Sequence, residues 1–110
     1  MERVASERLL RLIGLGVRAR TVVVGVDQVR LAAKKGSLVF AVVAPDASAN
    51  SRDKIVPLLR ARRVNFVEGP TAAELGAAVG REQTAAVGVI DAQLARGIRE
   101  LVATSVVSDS

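Results

Sequence analysis

The apolar run Ser37-Leu-Val-Phe-Ala-Val-Val43 decides the fold of this chain. Its β-branched and aromatic residues favour an extended strand. The run does not alternate between apolar and polar residues, so both faces of the strand are expected to be buried. A strand buried on both faces needs a sheet with helices on each side. The run therefore predicts a layered α/β fold.

Shorter elements alternate around this run. Strands are predicted at residues 21–24, 65–67 and 85–90 from their apolar, β-branched composition. Helices are predicted at residues 5–18, 27–35, 72–79 and 91–102, and in a segment around Ile55 and Leu59 that ends near residue 62. This order predicts an α/β fold, specifically a three-layer α/β/α sandwich with a mixed, mostly parallel four-stranded sheet.

The chain length is that of one domain. With 110 residues, we expect a single compact domain over residues 1–104 and a flexible C-terminal tail over residues 105–110. Gly14 and Gly16, inside the first predicted helix, are expected to let that helix pack closely against a neighbour.

Two helix starts carry capping signals. Asp27 is predicted to cap the second helix through its side chain. Thr71, with Glu74 three residues later, predicts a capping box at the start of the fourth helix.

The residue types that are absent exclude most catalytic sites. The chain has no His and no Cys, which excludes imidazole bases, thiolate nucleophiles, disulfides and zinc–cysteine sites. We therefore predict a protein that is not an enzyme and that binds no metal and no cofactor. The apolar stretch at residues 9–17 is interrupted by Arg11 and resembles neither a signal peptide nor a membrane span. We expect a cytoplasmic protein with no membrane partner.

The charges are divided along the chain. Residues 1–63 carry thirteen basic and five acidic side chains, a net charge of +8, whereas residues 64–110 carry three basic and six acidic ones, a net charge of −3. A basic half beside an acidic half is typical of a protein that binds a polyanion. An ordinary solvated surface is the alternative.

The turn Gly25-Val-Asp-Gln28 is the candidate binding site that the residues themselves indicate, because a predicted strand ends there and a helix begins. Helix N-termini attract phosphates and the acceptors on base edges. Gly25 has no Cβ to hold a partner away, and Gln28 can both donate and accept hydrogen bonds. An ordinary strand–helix turn would share these features.

This turn belongs to a set of motifs that resembles the bacterial YlxQ-like branch of the L-seven-Ae ribosomal protein superfamily. The resemblance extends over residues 8–101. Its motifs are L-I-G-L-G-V-R-A-R-T-V-V-V-G at residues 12–25, D-Q at 27–28, K-K-G at 34–36, V-V-A-P-D-A-S at 42–48, E-L-G at 74–76, G-R at 80–81 and A-A-V-G-V at 85–89. Each motif alone is weak, but their order and spacing together are specific.

The resemblance implies an α/β/α sandwich that binds kink-turn or related internal-loop RNA. In the family, a loop of pattern G-x-[NK]-[EQ] and the helix after it contact tandem G·A pairs. Carried over to this chain, Gly25 would allow backbone approach, Gln28 would contact a guanine edge, and Asp27 would occupy the Asn or Lys position. A second family loop covers a flipped-out base and corresponds here to Arg81–Thr84.

Several positions depart from the family pattern. Asp27 brings a carboxylate toward phosphates, where the family has an Asn or a Lys. Leu31 stands where the family usually has a Lys, and Lys34, one helical turn further, is the expected substitute. Arg20 begins the pair that replaces the family's Gly-Lys. These departures bear on affinity and target preference and leave the fold prediction intact.

The leading prediction is a monomeric, non-enzymatic RNA-binding protein of the ribosomal type. Its partner would be a structured RNA with a kink-turn or internal loop, with ribosomal RNA among the candidates. The predicted contact residues are Gly25, Asp27, Gln28, Lys34 and Arg81, with Arg18 and Arg20 as secondary contacts. The alternative is a protein-interaction module that keeps the fold and binds RNA weakly and without specificity, an interpretation favoured by Asp27 and Leu31.

Overall fold

A computed structural model describes residues 3–108 of the chain, which form five α-helices and four β-strands in alternating order. The helices are α1 (Arg3–Arg18), α2 (Val26–Lys35), α3 (Ala49–Ala61), α4 (Ala72–Ala78) and α5 (Ala92–Ser108). The strands are β1 (Val22–Val24), β2 (Phe40–Val43), β3 (Phe66–Glu68) and β4 (Ala86–Val89). The predicted α/β class and the alternation of elements are confirmed.

Two predicted boundaries differ from the structure by three residues or more. Strand β2 begins at Phe40 rather than Ser37, because the Ser37 amide still donates to the Ala32 carbonyl and belongs to the turn that ends α2. Helix α5 continues to Ser108, so the predicted tail at residues 105–110 begins inside a helix, and residues 109 and 110 lie outside the described residues. The flexibility of that tail and the domain limits at residues 1–104 stay predictions.

The sheet is mixed, with the strand order β1-β4-β2-β3. Strands β2 and β3 pair in parallel, with Ala41 opposite Phe66. Strand β4 runs antiparallel to both of its neighbours, β1 and β2. The prediction of a mixed four-stranded sheet is confirmed, but the prediction that it is mostly parallel is wrong.

The path of the chain around α4 explains the reversed strand. Helix α4 has only seven residues, and the chain after it turns back, so that the Thr84 amide donates to the Ala72 carbonyl in the first turn of α4 (3.0 Å). The Ala44 amide, just beyond the end of β2, then donates to the Ala85 carbonyl (2.8 Å). Strand β4 therefore begins at the edge where β2 ends, and it must run in the opposite direction.

Two clusters of buried side chains lie on opposite faces of the sheet. Phe40 and Val42 of β2 belong to the first cluster, and Ala41 and Val43 belong to the second, as the two-residue period of a strand requires. Helices α1, α4 and α5 complete the first cluster, while α2 and α3 complete the second. Helices therefore contribute to the buried clusters on both faces of the sheet.

Glycines allow the close packing that the sequence predicts for α1. A Cβ on Gly16 would overlap the Val22 side chain and lie 2.7 Å from Leu94 Cδ2. A Cβ on Gly14 would lie 3.1 Å from the Ala78 carbonyl oxygen. Because no side chain fills these positions, α1 can approach β1, α4 and α5.

The loop at residues 79–85 rests directly on α4 through Gly76. A Cβ on Gly76 would lie 2.6 Å from the Gln83 amide nitrogen and 2.8 Å from the Glu82 carbonyl carbon. The Arg81 amide donates to the Gly76 carbonyl at 2.8 Å. Since the neighbouring atoms belong to the backbone, they cannot rotate away as a side chain could.

We expect the Gly76→Ala variant to lower the free energy of unfolding by about 1–3 kcal/mol, the usual cost of overpacking a closely packed contact. Urea denaturation measures this change. The matched control is Gly97→Ala in α5, where a Cβ would have no neighbour within 4 Å. That control is expected to raise stability by up to about 1 kcal/mol through helix propensity. A Gly76→Ala variant as stable as the parent chain would contradict the close contact.

Candidate functional site

Loops that are distant in sequence meet at one edge of the sheet, which we call the loop edge. Strands β1, β2 and β3 end at this edge and β4 begins there. The Gly25 amide donates to the Ala86 carbonyl (2.9 Å), which joins the end of β1 to the start of β4. The loop edge consists of residues 25–28, 44–48, 69–71 and 81–85. The predicted Gly25 turn and the predicted 81–84 loop therefore share one surface.

Gly25 is the N-cap of α2. Its φ of 94° and ψ of 160° lie in a region that residues with a Cβ rarely adopt. The Val29 amide donates to the Gly25 carbonyl at 3.0 Å, and this bond begins the helix. Because glycine has no side chain, no side-chain oxygen accepts from the first turn of α2.

The prediction that Asp27 caps this helix is wrong. Asp27 lies inside the first turn of α2, two residues after the cap. The backbone turn at the end of β1 needs a positive φ, which only glycine adopts at little cost, so the helix start is set at Gly25. The exposed Asp27 carboxylate lies instead near the positive end of the helix dipole.

The Arg81 guanidinium lies beside Gly25. A Cβ on Gly25 would be 3.7 Å from Arg81 Nη1, and the Arg81 side chain is exposed. The backbone contact of the 79–85 loop with Gly76 holds this position. A cation therefore lies next to a backbone position that has no Cβ. The role of both residues in binding stays a prediction.

Helix α2 presents three kinds of side chain to its surroundings. Val29 and Ala32 face the core. Asp27 and Leu31 lie on the opposite, solvent-exposed face, and Leu31 is 46% exposed. Gln28 is exposed on the flank of the helix. It lines a small cavity of about 140 Å³ together with Val23, Leu31, Ala32, Lys35, Ser37 and Ile90.

A polar cavity of about 310 Å³ opens on the loop edge between α3, α4 and the 81–85 loop. Its lining residues are Asp46, Ala47, Ser48, Ser51, Ala72, Gln83, Thr84 and Ala85. The Asp46 carboxylate accepts a hydrogen bond from the Ala72 amide (2.8 Å), and the Ser48 hydroxyl accepts one from the Ser51 amide (3.1 Å). The cavity thus combines fixed acceptors with the Gln83 side chain.

Sequence reasoning missed three of these residues as members of the site. Asp46 and Ser48 belong to the motif at residues 42–48 but were not predicted to form a site, and Ser51 was not singled out. The available signal was their position directly after the buried strand β2, since strands that run in the same direction end at the same edge of a sheet.

The loop edge is acidic overall. Within it, the carboxylates are Asp27, Asp46 and Glu82, and the guanidinium group is that of Arg81. Just outside it, Arg52 in α3 pairs with Glu68 at the end of β3.

The structure does not bring Arg18, Arg20 and Lys34 to Gly25. Arg18 ends α1 and Arg20 follows in the turn to β1, and the Thr21 carbonyl accepts from the Ile90 amide beyond the end of β4 (2.9 Å). This contact lies at the opposite end of the sheet. Lys34 lies in the last turn of α2, about 12 Å along the helix from its first residue.

Other kinds of site are not found among residues 3–108. No group of three or more His, Cys, Asp or Glu side chains could hold a metal ion there. Within the same residues, no helix is long and apolar enough to cross a membrane. A groove of about 550 Å³ lies between α1 and α4 and is lined by Leu10, Arg11, Gly14, Leu15, Arg18, Glu74, Ala77 and Ala78.

Two solved structures are similar to this fold over most of its length. A protein of unknown function from Bacillus halodurans has a TM-score of 0.79 and 26% sequence identity, and the match covers 86% of this chain and 96% of that one. A 15.5 kDa RNA-binding protein of Giardia lamblia has a TM-score of 0.77 and 17% identity, covering 94% and 89% of the two chains. No curated protein sequence matches the chain.

The sequence also matches a family model, which extends from the middle of α1 into α5. The matched residues are 7–102, which include β1, the whole of α2 and the 79–85 loop. The chain therefore belongs to the ribosomal protein L7Ae/L30e/S12e/Gadd45 family.

Proposed function

We propose that this chain is a non-enzymatic, cytoplasmic RNA-binding protein of the ribosomal type that recognises kink-turn or related internal-loop RNA at the loop edge. The observation that carries the proposal is the position of the Arg81 guanidinium beside the open backbone of Gly25. Family membership supports it, as does the RNA-binding protein of Giardia lamblia that shares the fold. Assignment to the YlxQ-like branch is part of the same proposal.

The geometry at Gly25 suits a close approach by nucleic acid. The missing Cβ and the positive φ leave the end of β1 uncovered. The first-turn amides of α2 receive no side-chain acceptor, so they can donate to a phosphate or a base edge. Arg81 adds a guanidinium that can pair with a phosphate. The open backbone, the amide donors and the guanidinium group therefore lie close together, where one nucleic-acid segment could contact all of them.

Gln28 is the residue proposed to read a base. Its side chain is exposed, one helical turn from the cap, and belongs to the same edge as Gly25. A primary amide offers a donor and an acceptor together, which matches the mixed donor and acceptor groups on a purine edge. Unpaired and non-canonical bases in RNA loops expose such edges to proteins.

The 310 Å³ cavity is proposed to receive an unpaired base. Its volume is at the lower end of the range of pockets that hold small ligands, about 300–1,000 Å³. Gln83 and Thr84 of the loop that carries Arg81 line it. A base displaced from an RNA stack could enter there while its neighbours contact Gly25 and Gln28.

A protein-interaction module is the second candidate function. The observation that favours it is the exposed Leu31, which adjoins the small cavity lined by Val23 and Ile90. This candidate requires that RNA binding be weak and indifferent to internal loops. The comparison of two RNAs below separates the two functions.

We expect the Gln28→Ala variant to bind a kink-turn RNA more weakly by about 1–3 kcal/mol, the usual loss for a side chain that reads a base. Fluorescence anisotropy titration at fixed salt measures the affinity, because phosphate contacts make it depend on salt. The same RNA with its G·A pairs converted to Watson–Crick pairs provides the reference.

The matched protein control is Gln93→Ala, which removes an exposed glutamine from α5. It should leave both affinities unchanged. If the parent chain bound the two RNAs equally, the kink-turn proposal would fail and the interaction module would be favoured. If the Gln28→Ala variant kept the parent's affinity and preference for the kink-turn RNA, the base-reading role of Gln28 would fail.

We expect the Asp27→Asn variant to bind the kink-turn RNA up to about fivefold more tightly. A unit charge about 4 Å from a phosphate costs roughly 1 kcal/mol in water, and the change removes such a charge from an exposed position on the loop edge. Stability should fall by about 0.3–1 kcal/mol, because Asp27 lies near the positive end of the α2 dipole. Glu7→Gln, on α1, is the control for the loss of one negative charge. An equal gain in both variants would contradict a specific position of Asp27 at the RNA.

A further inference from the structure

The end of the sheet opposite the loop edge carries a dense group of positive charges. The group contains seven exposed side chains, which we call the basic end: Arg18, Arg20, Lys34, Lys35, Arg60, Arg62 and Arg63. Asp91, at the start of α5, is a carboxylate that also lies at this end of the sheet, and it accepts a hydrogen bond from the Leu94 amide.

The topology explains why these residues meet. Helices α1, α2 and α3 each end at this side of the sheet, since β1, β2 and β3 all begin there. Arg20 precedes β1 and Arg63 precedes β3, and these are the two edge strands. Three strand spacings separate them, about 14 Å. The cations are therefore distributed across the whole end of the sheet.

Within residues 3–108, the ion pairs are Arg3–Glu7 and Arg52–Glu68. Neither pair includes a residue of the basic end. The seven cations thus face solvent without neutralising carboxylates, and they repel one another. This repulsion lowers the stability of the fold.

Helix dipoles account for only part of this pattern. Cations in the last turn of a helix are favoured by the negative end of its dipole, and Arg18, Lys34 and Arg60 occupy such positions. Arg20 and Arg63 lie in the turns beyond the helices, with φ angles of 62° and 56°. Left-handed backbone is unfavourable for any residue with a Cβ.

The turn after α2 also needs a residue with left-handed backbone, and there the residue is glycine. Gly36 occupies this position, with a φ of 77°. Arginine at the corresponding places after α1 and α3 adds backbone strain and charge repulsion together. Strained positions of this kind indicate a function that stability does not explain.

We propose that the basic end is a second nucleic-acid-binding surface, which binds the phosphate backbone of duplex RNA without reading its sequence. A duplex carries about one phosphate charge per 1.7 Å of its axis when both strands are counted, so about eight phosphates lie within a 14 Å length, and those on one side can contact the basic end. Five of the seven cations are arginines, whose planar guanidinium groups bind phosphate oxygens in pairs. This surface is separate from the loop edge, and its proposed binding of duplex RNA does not depend on the function proposed for the loop edge.

The composition of the basic end favours nucleic acid over an anionic membrane. Proteins that lie on a membrane insert large apolar side chains beside their cations. The exposed aliphatic side chains beside the basic end are Leu31 and Ile90, which line a small cavity with Lys35, and Leu15, which lines a groove with Arg18. The chain has no Trp or Tyr, and of its two Phe residues Phe40 is buried and Phe66 half-buried. The basic end therefore has no exposed aromatic side chain to insert into a membrane.

The test compares two double variants that remove the same charge. Arg20→Gly/Arg63→Gly removes two cations of the basic end and also relieves the left-handed strain, so the variant should fold at least as well as the parent. Arg8→Gln/Arg11→Gln removes two exposed cations from the middle of α1. The probe is a fully Watson–Crick RNA duplex, titrated at several salt concentrations around 100 mM.

The Arg20→Gly/Arg63→Gly variant should bind the duplex about five- to tenfold more weakly, and the slope of log K against log salt should become less steep by about 1.5. The control variant should change the affinity by less than about twofold. The preference for kink-turn over Watson–Crick RNA should persist in the Arg20→Gly/Arg63→Gly variant, and Gln28→Ala should leave duplex binding unchanged. That pattern separates this surface from the loop edge.

Three results would overturn the proposal: equal losses in the two double variants, no duplex binding by the parent chain at this salt, or binding to phosphatidylserine-rich vesicles in place of the duplex. Duplex binding that depends on the basic end, in a chain without kink-turn preference, would overturn only the proposed function of the loop edge.

Discussion

The central position of β4 is the constraint on which the rest of the structure depends. Its backbone pairs with β1 on one side and β2 on the other, so it alone connects the first strand to the remainder of the sheet. Its reversed direction requires the preceding loop to lie at the edge where the other three strands end. That requirement brings Arg81 beside Gly25 across fifty-six positions of sequence. If β4 ran parallel to its neighbours, the loop before it would lie at the opposite end of the sheet, away from Gly25.

The two ends of the sheet have opposite electrostatic character for a topological reason. Three helix N-termini lie at the loop edge and three helix C-termini lie at the basic end. Carboxylates are favoured at the first and cations at the second, and the chain follows this rule at Asp27, Glu74 and Lys35. It departs from the rule at Arg52 and Arg81, which lie at or next to the loop edge. Arg52 pairs with Glu68, whereas among the described residues neither ion pair includes Arg81. An unpaired cation near carboxylates strengthens the case for a local role of Arg81.

The helices and strands, and the Gly25 turn of the candidate site, were predictable from sequence. They depend on local periodicity and on single residues with special backbone preferences. The run at 37–43, the capping box of Thr71 and Glu74, and the Gly25 turn all carry such signals, and the capping box is confirmed. The direction of β4 was not predictable, since it depends on hydrogen bonds between α4 and Thr84 that leave no pattern in the sequence.

The positions of the charged side chains on the folded surface were also not predictable from the sequence. The net charges of residues 1–63 and 64–110 suggest a basic half and an acidic half, yet strands from both parts pair throughout the sheet. What separates the charges is which end of each helix they occupy. Arg18, Arg20 and Arg81 lie in similar basic motifs of the same family pattern, but the fold directs the first two away from the third.

The opposed charges at the two ends give the molecule an electric dipole moment along its strands. In the field of a long polyanion, such a molecule rotates before contact, so that its positive pole approaches first. The loop edge then points away from the polyanion. With RNA bound at both of the proposed surfaces, the protein would bring together two segments that are distant in the RNA chain.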